Sequence, residues 1–358
     1  MQKKGYSRYF AYDVFKVRFD DFFKNEETTL KQKVWAQNRG FLSNRIDYLG
    51  LTEENYRNFL SHFDYYKLHP INGRYSHWVD DKLTMKLILH PFTEYLPEYY
   101  YHIGNGEILR LMDCSDEFEQ SEDDVINLAK AKGFLAIKLL SGSGGFGFIK
   151  LSFLNNKFFM NNKMIADKDL KNKINRWIDM KGGGYLITEY IKPHPELHRI
   201  WAETPNTVRI MVVRGKNENP KIANAYIRFG TKDSGVIDNT HAGGVTCHID
   251  INTGCFSDGK IINNAIIKDS PFHPDTKILV EGCIPQWKII CDEVLRISNY
   301  LPEIIYFGYD IAVTEGGFKI IEINSHQGIN FVQRNIPIFQ NELCRDFFKD
   351  LILEKKRK

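Results

Sequence analysis

A chain of 358 residues is long enough for two or three packed lobes. Its 43% hydrophobic and 26% charged residues exclude a disordered or fibrous chain. A net charge of +3, from 48 Lys and Arg against 45 Asp and Glu, carries no footprint of a nucleic-acid binder.

Residues 1–77 read as mainly helical, with aromatic anchors and a capped helix opening at Thr52. Residues 70–73 form a turn, and Asp80-Asp81-Lys82 opens an amphipathic helix that ends before Pro91. Short strands follow from about residue 100. Residues 134–140 are an apolar strand carrying one lysine, and 141–147 are a glycine loop. Residues 148–154 and 157–164 form a hairpin across Asn155-Asn156, followed by a helix over 167–180 and a strand over 185–191. Residues 207–214 and 221–229 form a second hairpin, and 245–251 another strand. Pro285 is expected at the first position of a helix running to Tyr300. Residues 304–314 and 318–324 are strands around Glu315-Gly-Gly317, and the last helix covers 341–353. Hairpins mixed with helices argue for α+β lobes and against a doubly wound sheet.

The six cysteines (114, 247, 255, 283, 291 and 344) form no C-x-x-C pair. They are read as buried thiols of a reducing compartment, not as disulfides or zinc ligands. No apolar run reaches the ~18 residues of a membrane helix, and residues 1–20 lack an apolar signal core. A cytoplasmic protein without an integral membrane segment is expected. The basic run from Lys355 to Lys358 is a solvated terminus or a weak tether to acidic lipid or polymer.

The most specific chemical signal is Asp310, Glu322 and Asn324. Side chains alternate along a strand, so Glu322 and Asn324 share a face, and the hairpin lets Asp310 share it too. Two acids and an amide oxygen converging on an apolar strand suit a hard cation such as Mg²⁺. The bland alternative is ordinary alternation on a half-solvated strand.

Gly142-Ser-Gly-Gly-Phe-Gly147 fits G-x-G-x-x-G, but a strand follows it where a dinucleotide-binding loop needs a helix. A glycine loop between strands can close over phosphates through its N–H groups. Lys138, on the apolar strand before the loop, suits an anion such as a nucleotide phosphate, unless it merely snorkels.

The order of these residues resembles the ATP-grasp superfamily. The series is Lys82, Lys138, the glycine flap, Thr188-Glu-Tyr-Ile191, Arg209, Arg228, Asn239 with Gly243-Gly244, then Asp310, Glu322 and Asn324. Gly40-Phe, Leu49-Gly-Leu, Asn206-Thr-Val-Arg-Ile, Asp238-Asn-Thr-His-Ala-Gly-Gly, His273-Pro-Asp, Ile284-Pro-Gln-Trp and Gly308-Tyr-Asp-Ile-Ala are similar to the sugar-transfer-associated subgroup. That subgroup is associated with bacterial capsule and exopolysaccharide loci.

The resemblance implies two α+β lobes sandwiching ATP, with residues 1–77 as a helical N-terminal region. Residues 78–190 would carry the flap and adenine hinge, and 191–358 the metal and substrate residues. Lys82 and Lys138 would hold phosphates under a flap of Ser143, Gly144, Gly145, Phe146 and Gly147. Glu189, Tyr190 and Ile191 would meet the adenine. Glu196 would meet the ribose or be an exposed loop acid. Asp310, Glu322 and Asn324 would hold one or two Mg²⁺, with Mn²⁺ as the alternative.

Arg209 and Arg228 resemble the arginines that clamp the transferred phosphate and the substrate carboxylate, or they are ion-paired surface arginines. The Asn239 loop would stabilise oxyanion charge. His241 stands where peptide-ligating relatives carry a more basic residue, and is a general base or only a loop residue. The implied reaction joins a carboxylate to an amine through an acyl phosphate. A sugar acid of a capsular or extracellular glycan is the expected substrate, and capsule-assembly enzymes are the expected partners. Peptide ligation, hydroxyl phosphorylation and a non-catalytic ATP-binding module are the competing readings.

Overall fold

The computed structural model describes residues 8–142, 144–263 and 266–357. Helices dominate the N-terminal quarter: α1 (Arg8–Phe23), α2 (Leu30–Asn38), α3 (Arg45–Leu49), α4 (His62–Leu68), α5 (His77–Asp80) and α6 (Lys82–Ile88). Thr29 and Gln32 form a reciprocal capping box at the start of α2, and the Asp81 side chain accepts the Thr84 N–H at the start of α6. The helix expected from Thr52 does not form. Asn55 accepts the Thr52 N–H and donates to the Gly50 carbonyl, so the chain turns tightly and only Tyr56–Asn58 forms a 3₁₀ turn.

The first lobe contains β1 (Tyr99–Gly104), β2 (Glu107–Arg110), α7 (Glu122–Lys132), β3 (Phe134–Leu139), β4 (Ile149–Leu154), β5 (Lys157–Met160), β6 (Lys163–Ile165), α8 (Asp167–Ile178) and β7 (Tyr185–Glu189). Its strands make one antiparallel sheet in the order β2-β1-β7-β3-β4-β5-β6. Asn155 and Asn156 both take positive φ, which lets the β4–β5 hairpin close in two residues. One face packs Leu135, Ile137 and Ile187 against Val125 and Leu128 of α7 and Leu170 and Ile174 of α8. Alternation leaves Lys138 on the other face.

The second lobe follows the short α9 (Pro195–His198). It contains β8 (Val208–Val213), β9 (Lys221–Phe229), β10 (Val245–His248), β11 (Cys255–Phe256), β12 (Lys260–Asn263), β13 (Ile266–Asp269), β14 (Gly282–Cys283), α10 (Trp287–Tyr300), β15 (Tyr306–Thr314), β16 (Gly317–Asn324), α11 (Asn330–Asn335) and α12 (Glu342–Arg357). Its main sheet runs β13-β12-β10-β9-β8-β15-β16, again antiparallel. Val208, Ile210, Ile227, Tyr309 and Ile311 bury one face against Ile290, Val294 and Ile297 of α10. Part of the opposite face packs Met211, Val213 and Tyr306 against the N-terminal helices, α11 and α12. The rest of that face is left for charged side chains. No helix among the described residues is long and apolar enough to cross a membrane.

Two expectations need correction. Cys255 and Cys283, facing each other across β11 and β14, form a disulfide, so the six cysteines are not all thiols. Neither the 28-residue separation nor the flanking residues announce that pairing. Pro285 does not occupy the first turn of α10: Gln286 intervenes in a left-handed conformation (φ 57°), and the helix begins at Trp287.

Asn72 ties the helical region to the second sheet. Its amide donates to the Tyr306 carbonyl at 2.8 Å and accepts from the Ile305 and Tyr306 N–H groups at 3.0 and 3.1 Å. Asn72→Ala strands these buried groups and should cost about 2–3 kcal/mol. Denaturant unfolding should show a lower midpoint with an unchanged slope; an unaltered midpoint would remove that role.

Candidate functional site

β15 is the spine of the site. Its odd-numbered residues Phe307, Tyr309 and Ile311 enter the core, so Asp310 faces the opposite way. Across the ladders Asp310 stands opposite Arg209 of β8 on one side and Glu322 of β16 on the other. A bulge makes this row. Ile311 pairs with Ile320 and Asp310 with Glu322, leaving Ile321 as the extra residue. Without it Glu322 would follow Phe318 and Ile320 into the core. With it, Glu322 and Asn324 share the face of Asp310, and the Asn324 amide donates to Glu322 Oε1 at 3.1 Å.

Arg209 clasps Asp310 through two bonds, Nε to Oδ1 at 2.5 Å and Nη2 to Oδ2 at 2.8 Å. Arg228 adds a contact from Nη2 to Asp310 Oδ1 at 3.3 Å. Burial pushes the Asp310 carboxyl up, but Arg209 and then Arg228 outweigh it and hold the group well below the usual carboxylate range. Burial likewise works against the Arg209 charge, and Asp310 more than restores it. Asp238 accepts the Thr207 N–H and hydroxyl at 2.6 Å and lies 3.7 Å from Arg228 Nε. That Nε is buried with no hydrogen-bond partner among the described residues.

The two lysines approach from the other side. Lys82, at the first turn of α6, donates to the Gly142 carbonyl at 2.8 Å and lies 3.4 Å from Glu322. Lys138 is buried, with no hydrogen bond or ion pair among the described residues. Burial lowers its pKa to about 8, helped by Lys82 and opposed by Glu322 and Glu189. In the flap Gly144, Gly145 and Gly147 take positive φ, a backbone that favours glycine. Asn239, from the second lobe, donates to the Gly144 carbonyl at 2.7 Å, so the flap already reaches across.

Together these side chains line a cavity of about 340 Å³ between the lobes. Among its described lining residues, Lys82, Lys138, Arg209 and Arg228 face Asp238, Asp310 and Glu322. Four cations against three carboxylates, with Lys138 in no ion pair among the described residues, make a seat for a polyanion. The far end is walled by Tyr48, Tyr226, Ile262 and Phe331, with His326 and Gln327 beside them.

A family model described as sugar-transfer associated ATP-grasp matches residues 64–339. The chain belongs to that family. Among solved structures, this ATP-grasp chain is similar to D-alanine–D-alanine ligase from Bacillus anthracis complexed with ATP, at 13% identity and TM-score 0.39 over 78% of this chain and 68% of that one. D-alanyl-alanine synthetase A from Vibrio cholerae O1 biovar eltor matches at 12% identity and TM-score 0.41, over 78% and 66%. Biotin carboxylase from Campylobacter jejuni matches at 12% and 0.39, over 78% and 46%. No curated protein matches the chain.

Within this ATP-grasp chain the donor set of Asp310, Glu322 and Asn324 fits a hard cation: three oxygen-bearing side chains on one face, with room for phosphate and water. No group of three or more His, Cys, Asp or Glu side chains is arranged to hold a metal among the described residues. The set therefore needs oxygen from a ligand to complete a shell.

Phe146 also lines the cavity, and other candidates lie off it. The Glu189 carboxylate accepts the Glu98 N–H at 3.2 Å, and the Tyr190 hydroxyl donates to the Glu203 carbonyl at 3.3 Å. Ile191 is buried. None of these three lines the cavity. Glu196 is 67% exposed on α9, 3.6 Å from Arg199. Phe146 is 81% exposed at the flap tip. Ser143 and the His241 side chain lie outside the described residues.

Asp238, Tyr48, Tyr226 and Phe331 line the cavity but were not singled out from the sequence. Asp238 adjoins Asn239 in a quoted motif, and its acidity beside two strand arginines was the available signal. The aromatics come from distant elements and carry none.

The Lys138 shift has a sign that can be tested. Its folded pKa lies below the ordinary 10.5, so its contribution to stability without ligand rises with pH between about 8 and 10.5. Phosphate binding favours the charged form. ATP affinity should therefore fall as pH rises through about 8, with proton uptake on binding near that pH. Calorimetry in buffers of differing ionisation heat reads the uptake. Lys138→Met should abolish it, and identical uptake in that variant would contradict the assignment.

Proposed function

We propose that this chain is an ATP-dependent ligase that activates a carboxylate as an acyl phosphate and joins it to an amine. The observation that carries the reading is the cavity's surplus of buried cations above a row of oxygen donors. Lys82 and Lys138 would bind the phosphates, and the flap from Gly144 to Gly147 would exclude water from them. Glu189, off the cavity lining but within electrostatic reach of Lys138, would meet the adenine with the backbone of Tyr190 and Ile191. Asp310, Glu322 and Asn324 would hold Mg²⁺, which neutralises phosphate charge and orients the transferred group.

The arginines divide the work. Arg209 is committed to Asp310 and would position it. Arg228, whose Nε makes no hydrogen bond among the described residues, would reach the transferred phosphate or the substrate carboxylate, whose planar charge a guanidinium matches. Asn239 would hold the flap closed. His241 is a base or a loop residue on this reading. Glu196, paired and off the cavity, is given no role.

Aromatic and apolar walls at the far end suit the face of a sugar ring, with polar groups left to fix its orientation. Together with the family's association with sugar transfer, they favour a sugar acid of a capsular or extracellular glycan over a peptide. Location in the cytoplasm, where ATP is available, and capsule-assembly enzymes as partners belong to the same proposal.

Hydroxylamine trapping tests the chemistry. With ATP and a panel of sugar acids, a hydroxamate should form together with ADP. ADP formation without a hydroxamate, dependent on a hydroxyl acceptor, would show a kinase instead. Glu322→Gln should lower ADP release by about 10²–10³-fold with unchanged thermal unfolding. Turnover equal to the parent protein would remove the metal assignment.

A further inference from the structure

The Cys255–Cys283 disulfide stands at the foot of an arm that reaches the cavity wall. The two cysteines bracket β12, β13 and the arm of residues 270–281. β13 fastens the start of the arm by pairing with β12. The disulfide fastens its end, helped by the Ile284 N–H, which donates to the Gly254 carbonyl at 2.9 Å. The ladder between β11 and β14 has only the pairs Cys255–Cys283 and Phe256–Gly282, too few to hold two strands alone. Val280 and Ile284 are packed in the core, so opening the bridge loosens the arm without releasing it.

The arm in turn holds the loop that touches the flap. His273 Nε2 donates to the Gly230 carbonyl at 2.8 Å, while its Nδ1 accepts the Asp275 and Thr276 N–H groups. The Asp275 carboxylate accepts the Lys232 N–H at 2.9 Å. The Thr276 hydroxyl donates to the Ile200 carbonyl at 3.0 Å, Arg199 donates to the Glu281 carbonyl at 2.9 Å, and the Trp201 ring stacks on His273. From Gly230 the chain runs on to Asp238, which anchors Thr207, and to Asn239, which donates to the flap at Gly144. A continuous series of bonds therefore joins the disulfide to the flap.

The bridge is also accessible. Cys283 is exposed, and Cys255 is half-buried on a surface cleft that it shares with Asp250, Ser257, Asp258 and Lys260. An exposed disulfide is open to attack by a thiolate, whereas an enclosed one resists it. We propose that Cys255–Cys283 is a redox switch that sets the order of the flap-holding loop, and through it the grip on nucleotide. A dithiol reductant opens it. One thiolate of the reductant attacks the Cys283 sulfur, the S–S bond breaks, and Cys255 leaves as a thiolate that takes up a proton. The second thiol then displaces Cys283 and closes the reductant into a disulfide. Two electrons and two protons pass to the protein, and a small-molecule disulfide reverses the exchange. The effect on affinity rests on the nucleotide seat proposed above; the effect on the loop does not.

Comparison of the full chain after oxidised glutathione and after dithiothreitol tests the switch. Thiol titration in denaturant should count the four free cysteines in the first case and all six in the second. Hydrogen exchange read by mass spectrometry should be at least about tenfold faster over residues 230–244 in the reduced protein, and unchanged over 306–324. Calorimetry should show ATP held about tenfold more weakly after reduction, with recovery on reoxidation. Cys255→Ser/Cys283→Ser should match the reduced parent in both readouts and ignore the reductant. Six thiols after oxidised glutathione, or equal exchange over 230–244 in both states, would overturn the proposal. So would a loss of thermal stability on reduction with that loop unaltered, since the bridge would then only brace the core. Redox-dependent exchange in a protein that binds ATP in neither state would leave the loop switch standing and count against the nucleotide seat.

Discussion

The buried pairing of Arg209 with Asp310 is the constraint around which the second lobe is arranged. Two charges removed from water are tolerated only with good geometry and further partners. Here two short bonds join them, Arg228 adds a third contact, and β15 holds the carboxylate between the ladders of β8 and β16. Removing one partner would strand the other at a cost of about 3–5 kcal/mol. The arrangement still leaves net positive charge, because Lys82 of α6 and Lys138 of the first lobe line the same cavity. The fold thus holds its charged face in a state that a polyanion completes.

Strict alternation and two departures from it make that face. β8, β9 and β15 bury every second side chain against α10, which frees Arg209, Arg228 and Asp310 to point the other way. The bulge at Ile321 reverses the sense of β16 just before Glu322. Gly308 leaves space for Gln327, whose side chain a Cβ there would meet at 2.8 Å. The lobes are then bridged above the cavity by Lys82 on the Gly142 carbonyl and Asn239 on the Gly144 carbonyl. Flap position is therefore coupled to the same lysine that touches Glu322.

The α+β class and most strands were legible because the hairpins carry local signals: paired asparagines at 155–156, glycines at 316–317 and period-two apolar runs. Alternation puts Glu322 and Asn324 on one face, but it is the bulge at Ile321, which has no mark in the sequence, that turns that face to the side of Asp310. Lys138 was readable as a charge on an apolar strand. Long-range features were not. Tyr48 and Phe331 reach the cavity from elements nearly three hundred residues apart along the chain. Cys255 and Cys283 meet only because β11 and β14 pair. Local side-chain bonding also defeated helix signals at Asn55, and a left-handed Gln286 displaced the start of α10.

A crystal structure with Mg²⁺ and a non-hydrolysable ATP analogue is the most direct measurement. It should place the phosphates within hydrogen-bond reach of the Lys82 and Lys138 ammonium groups, beneath the flap. A cation should bridge them to oxygens of Asp310, Glu322 and Asn324. A nucleotide bound elsewhere, or phosphates remote from Lys138 with those three side chains turned away, would contradict a site built to complete its charge with a triphosphate.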